Sequence, residues 1–358
     1  MYYFQLLYTS LFLFYFQGEE VYFQSERLKG VSWQQNAPLH HIMDDKGEEI
    51  EISAKKDEEG LLYWYRRAWT PVCLIGECKL IDIGIYWDFT GDFFGLEVYG
   101  EPLTKTDHSD FIPEDYQRLI EILENDWSPL REYELSDLVE EPYKESSEVD
   151  GTSGATKKEI SKEAVADAVY TTHTIWHLSH VGEKEQLVNL TVDELNNDEE
   201  LFSFILQNDQ LDHHIDFFLG LYSNGKLKND EYLNSLVISS LSHNEMSKNK
   251  TLAIKTLSKC NYSDPYFLQR LIDIYNELPP REKVQALNEF QKIKDFPEAL
   301  FLAIVQNLEN QQEWYVLKVF QVTKHRSQFR SELFNLGKNL TQIDNPQLHK
   351  ILSEINGR

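Results

Sequence analysis

The spacing of apolar residues changes period along this chain of 358 residues, and each change predicts a different element. Over 79–99, Leu80, Ile81, Ile83, Ile85 and Trp87 mostly alternate with small or polar residues. Asp88, Phe89, Thr90, Gly91 and Asp92 then carry turn chemistry, and Phe93, Phe94, Leu96 and Val98 resume the run. That pattern predicts a β-hairpin. From Pro113 the apolar positions Tyr116, Leu119, Ile120, Ile122 and Leu123 follow helical spacing, with Pro113 and Glu114 suited to a first turn. Val165, Ala168, Val169, Thr172 and Trp176 recur at three- and four-residue steps, which predicts an amphipathic helix over about 158–178.

Beyond residue 182 only helical spacing remains. One-sided segments at 201–206, 214–222, 230–241, 248–258, 265–278, 282–293, 297–308, 313–322, 327–340 and 346–355 are predicted as helices. Breakers such as Ser223-Asn224-Gly225, Ser263-Asp264-Pro265 and Asp344-Asn345-Pro346 separate them. Short helices paired about every 30 to 40 residues bury their apolar faces only by stacking on neighbours. Residues 182–358 are therefore expected to form an all-α helical-repeat domain of the HEAT-like kind, with an irregular helical domain as the alternative. Trp314, Tyr315 and Phe320 are expected in its core.

Ahead of the 158–178 helix, Asp150, Ser153, Gly154, Ala155 and Thr156 spell Asp-x-x-Ser-Gly-Ala-Thr. Gly151 and Gly154 let a ligand approach the backbone closely. An anion at Thr156 would lie just before the helix, where free N–H groups and the helix dipole favour it, beside Lys157 and Lys158. The run from Thr156 to Glu159 fits a capping box equally well, in which Thr156 only starts the helix. The motif resembles the flavin-attachment signature of the FMN-binding domain family, found in subunits of bacterial electron-transport complexes. The resemblance spans about 72–181. It implies a small antiparallel-sheet domain carrying FMN through a phosphoester to Thr156, attached by a separate flavin transferase outside the cytoplasm. It also places the loop 100–108 near the flavin, which makes Thr104, Lys105 and His108 candidate contacts.

Composition narrows the partners. A formal charge of −26 argues against nucleic acid and against an anionic membrane surface. Residues 1–15 are almost wholly apolar, a length suited to a signal-peptide core and too short for a comfortable membrane span. The expected organisation is a signal peptide at 1–18, an FMN-binding-like domain at 19–181 and the helical domain at 182–358, in a periplasmic or secreted protein with no integral membrane span. A buried N-terminal strand is the alternative for the first residues. Cys73 and Cys78 have four residues between them, and three readings stay open: a structural disulfide, two buried thiols, or a redox pair. Cys260 is expected in the helical core. His173, His177 and His180 complete no metal-ligand pattern and are expected to pack.

These patterns predict an α+β chain in which an antiparallel-sheet domain precedes an all-α domain. The function they imply is an extracytoplasmic flavoprotein with covalent FMN, carrying electrons to a redox or docking protein held by the helical domain. The alternatives are a non-catalytic interaction scaffold on a degenerate FMN-type fold, and a thiol oxidoreductase using Cys73 and Cys78.

Overall fold

A computed structural model describes residues 20–44, 47–72, 79–138, 162–207, 212–227, 231–242, 248–306, 308–340, 343 and 345–356. The chain divides into two compact units, Met1–Glu194 and Leu195–Arg358.

Unit 1 is built on one antiparallel sheet. Its strands are β1 (Val21–Gln24), β2 (Leu39–Met43), β3 (Glu49–Lys56), β4 (Leu62–Pro71), β5 (Leu80–Asp88) and β6 (Phe93–Tyr99), in the spatial order β1-β6-β5-β4-β3-β2. Strands β2 to β6 form a meander, and β1 pairs with β6 at the far edge. The predicted hairpin is β5–β6. Asp88 makes its turn, accepting bonds from the Thr90 N–H (2.8 Å) and hydroxyl (2.5 Å) and from the Asp92 N–H (3.2 Å), while Gly91 supplies φ +81°. Burial pushes the Asp88 carboxyl up to about 6 against the pull of those Thr90 bonds.

Alternation along each strand separates two faces. One face carries Trp64, Ile83, Ile85, Trp87, Leu96 and Val98, all buried. It packs against the helices α1 (Pro113–Leu123), α2 (Val169–His180) and the unit 1 part of α3 (Lys184–Asn197). Two indoles fix that packing: Trp87 Nε1 donates to the Ser179 carbonyl (2.8 Å) and Trp64 Nε1 to the Thr191 hydroxyl (2.9 Å).

Helix α1 begins where Pro113 predicts. Asp115 closes its first turn from one side, its carboxylate accepting the Ile112 N–H at 3.0 Å. Helix α2 differs from expectation. Among the described residues it starts at Val169, and 163–168 is turn and loop with Asp167 at φ +58°. The Thr172 hydroxyl accepts the Val165 N–H (3.2 Å) and donates to the Ala168 carbonyl (2.8 Å), which folds the preceding segment back onto the helix. Val165, Ala168, Thr172 and Trp176 are nevertheless all buried, so the apolar spacing identified the inward residues but not the helix start.

Unit 2 is helical: α4 (Glu199–Gln207), α5 (Asp212–Ser223), α6 (Glu231–Leu241), α7 (Lys248–Thr256), α8 (Pro265–Glu277), α9 (Pro280–Phe290), α10 (Glu298–Val305), α11 (Glu313–Thr323), α12 (Arg330–Asn339) and α13 (Pro346–Asn356). Alternate helices touch. One row runs α5, α7, α9, α11, α13 and another α6, α8, α10. This is a two-layer stack in which each helix buries its stripe on near neighbours. Cys260 is buried, and desolvation pushes its thiol well above the ordinary range, as a core residue requires. In α11, Tyr315 and Phe320 are buried as expected, but Trp314 is 44% exposed. The inward stripe includes Tyr315, Val316, Val319 and Phe320, and Trp314 falls on the far side of the helix from its centre.

Candidate functional site

The residues singled out by the flavin motif, Asp150, Ser153, Gly154, Ala155 and Thr156, lie outside the described residues, as do Cys73 and Cys78. Thr104, Lys105 and His108 are placed, and the chain brings them into one tight loop. Thr104 forms a β-bridge with Asp110, and its carbonyl accepts the Thr171 hydroxyl at 2.9 Å. Lys105 Nζ pairs with Asp115 at 2.9 Å, and this bond raises the lysine pKa. His108 turns the loop at φ +65° with its side chain exposed. In this arrangement the loop is fastened to α1 and α2 by its own polar groups.

The histidines pack as expected. His173 and His177 stack at 4.0 Å, and their Nε2 atoms sit 2.7 and 2.9 Å from the Tyr133 and Leu130 carbonyls. His180 lies flat on Trp176 (4.5 Å, 11°) with Asp126 at 3.4 Å. The pair therefore staples the segment around 130–133 to α2. Burial lowers the His173 pKa below its usual 6.5, reinforced by His177 and opposed by the Tyr133 bond and by Glu134 and Asp137. A depressed histidine binds its proton in the unfolded chain first. Its stabilising contribution is thus complete above about pH 6.5 and is lost as pH falls below it. Thermal midpoints measured from pH 7.5 to 5 should fall more steeply in the wild type than in His173→Gln; parallel curves would refute the assignment.

On the sheet face away from the helices stands a polar network that the sequence did not announce. Glu97, 6% exposed, accepts bonds from Gln24 Nε2 (2.8 Å), from the Tyr86 hydroxyl (2.8 Å) and from the Tyr99 hydroxyl. Because Tyr99 donates to the carboxylate, its oxygen is left to accept from Tyr65 at 3.2 Å. Burial, and then Glu97, push the Tyr86 and Tyr99 phenols far above their ordinary range, so both act as donors. Gly84 makes room for these rings: a Cβ there would lie 2.8 Å from Tyr65 Cε2 and 2.9 Å from the Tyr99 hydroxyl. Lys55 Nζ lies 4.6 Å from the Tyr65 ring centre, 5.6 Å from Trp33 and 5.8 Å from Tyr86. The three donors come from β1, β5 and β6, so the network ties the edge strand to the next two strands.

The cavity that does offer room lies at the sheet's edge. A cleft of about 640 Å³ runs between β1 with the turn Glu26–Leu28 on one side and α1 on the other. Phe23, Phe94, Phe111 and Tyr116 line its apolar part, with Phe23 stacked on Tyr116 at 4.2 Å and 16°. The α1 wall presents Gln117, Ile120, Glu121 and Glu124, the flank of the helix next to its buried stripe. Arg27 pairs with Glu124 at 3.0 Å across the rim, and Lys29 pairs with Glu26 at 2.5 Å within the turn. Its size and aromatic lining are those of a ligand site. Compared with known proteins, the chain matches no family model, no curated protein and no solved structure.

Proposed function

We infer that this is a binding protein, in which the cleft between β1 and α1 of unit 1 receives a partner and the helical unit 2 serves as a scaffold of the HEAT-like kind. The cleft carries the reading: about 640 Å³ walled by five aromatic rings, Tyr22 with Phe23, Phe94, Phe111 and Tyr116, and opening on an exposed strand edge is a surface for recognition. The Glu97 network supports it from the other side, since its carboxylate already accepts three protein donors. The two-row stacking of unit 2 supports a scaffold, because such stacks present long surfaces to partner proteins. No helix among the described residues is long and apolar enough to cross a membrane.

Nile red, a neutral apolar dye, serves as the test. It should bind the wild-type chain with enhanced emission, and Ile120→Arg, which places a charge on the half-buried wall, should abolish that signal while the circular dichroism is unchanged. Equal emission from the variant would remove the cleft from consideration.

A second reading rests on the motif from Asp150 to Thr156. Under it the chain is an extracytoplasmic flavoprotein carrying covalent FMN on Thr156, and the bound isoalloxazine supplies the electron-transfer chemistry. Intact mass after co-expression with a flavin transferase decides it. A gain of FMN less water on the Thr156 peptide, absent in Thr156→Ala, is the expected result, and an unmodified mass counts against it.

A further inference from the structure

The cleft borders an open strand edge, and that decides how it would be filled. Among the described residues, strand β1 ends the sheet and is bonded to β6 on one side only. Every second residue of an edge strand aims its N–H and C=O away from its partner strand. No described residue bonds to the main chain of Tyr22, Phe23 or Gln24 on that outer side. The opposite edge is treated differently. There the Gln186 side chain accepts the Met43 N–H at 3.0 Å and donates to the Met43 carbonyl, closing the end of β2 as a strand would. Nor does β1 carry a lysine or proline to discourage pairing: its sequence is Val-Tyr-Phe-Gln, with Val21 44% and Tyr22 50% exposed.

Resting on the reading of the cleft as a binding site, we propose that its occupant is an extended, basic segment of a partner polypeptide, added to the sheet as a strand alongside β1 and beneath α1. A strand in that place bonds its main chain to β1 and sends alternate side chains toward the cleft. The side chains that fit there are aromatic or branched aliphatic, against Phe23, Phe94, Tyr116 and Ile120. The other side chains meet the rim and the surrounding field. The lining carries the acids Glu26, Glu121 and Glu124 against the bases Arg27 and Lys29, and Glu121 pairs with Arg118 of the same helix at 3.3 Å on exposed side chains, a weak contact. Over the whole chain the formal charge is −26, so a segment rich in lysine or arginine is drawn in and an acidic one repelled.

The experiment uses the full chain and a short capped peptide alternating lysine with phenylalanine and valine, read by displacement of Nile red. Three control peptides accompany it: one with glutamate for lysine, and two N-methylated on alternate residues in either phase. The lysine peptide should displace the dye, and the glutamate peptide should bind at least about tenfold more weakly. N-methylation in one phase should cost about tenfold or more, and in the other phase little, because only one side of an added strand bonds to β1. Glu121→Lys, a change on an exposed side chain, should weaken the lysine peptide and strengthen the glutamate peptide, and equal effects on the two would overturn the charge preference. Displacement that is indifferent to N-methylation in both phases would overturn strand addition while leaving the cleft a binding site, as would a peptide that fails to displace bound dye. A dye that never binds would defeat the cleft reading itself. A dimer in sedimentation that Tyr22→Lys dissociates would assign the β1 edge to a second copy of the chain, again overturning the proposal.

Discussion

Replacing Glu282 with alanine lowers the stability of unit 2 by about 3–5 kcal/mol, the usual consequence of removing one member of a buried ion pair. Glu282 opens α9 and pairs with Lys250 of α7 at 2.9 Å, their side chains 6% and 5% exposed. The two helices are neighbours in one row of the stack, so the buried ammonium that loses this carboxylate lies in the seam that holds the row together. The size of the effect comes from desolvation and not from attraction alone. The double change Lys250→Met with Glu282→Leu removes both charges and should recover most of the loss. Urea unfolding followed by circular dichroism, with unit 2 helices dominating the signal, measures both. A single variant that loses less than about 1 kcal/mol would mean the pair is effectively solvated.

That pair also marks a limit of sequence reading. The segment Lys-Asn-Lys-Thr-Leu-Ala-Ile-Lys of α7 reads as a polar helix with Leu252, Ala253 and Ile254 inward, and nothing in it tells Lys250 apart from Lys248 or Lys255. Only the neighbouring α9 brings Glu282 to it. The helices themselves were far more legible. Asp264-Pro265 and Asn345-Pro346 mark the starts of α8 and α13, because a proline fits the first turn and an Asp or Asn caps it. The β5–β6 hairpin was legible for a similar reason, since Asp88 and Gly91 make its turn out of neighbours in sequence.

The first four strands were not read, and their chemistry explains why. Strand β4 runs Leu-Tyr-Trp-Tyr-Arg-Arg-Ala-Trp-Thr-Pro, without polar alternation, because both of its faces are aromatic: Trp64 faces the helices, while on the other side Tyr65 joins the tyrosine network and Tyr63 packs on Trp33 and Phe94. Strand β1 is four residues long, too short for a period to register. The cleft was invisible for a different reason. It brings residues 22–29 beside 111–124, a juxtaposition created by β1 pairing with the last strand of the meander.

The same pairing makes Glu97 the second position of large expected effect. Glu97→Leu should cost about 3–5 kcal/mol, since it leaves the Tyr86 hydroxyl, 2% exposed, without its acceptor and deprives Tyr99 and Gln24 of theirs. Each orphaned buried donor costs about 1–3 kcal/mol, and the half-exposed Tyr99 and Gln24 recover part of that through water. Glu97→Gln keeps one acceptor oxygen but presents an N–H to a donor, and should fall between the two at about 1–2 kcal/mol. The effect should extend to the proposed binding edge. Gln24 is the last residue of β1, and its bond to Glu97 ties that strand to β6 together with the Ser25 N–H to Leu96 carbonyl bond of 3.0 Å. Hydrogen exchange at Val21–Gln24 should therefore accelerate in Glu97→Leu by more than exchange in β4 or β5, where the core face is untouched. If exchange rose equally in all strands, Glu97 would be supporting the whole sheet. A rise confined to β1 would show that the carboxylate fixes the edge against which a partner strand would have to align.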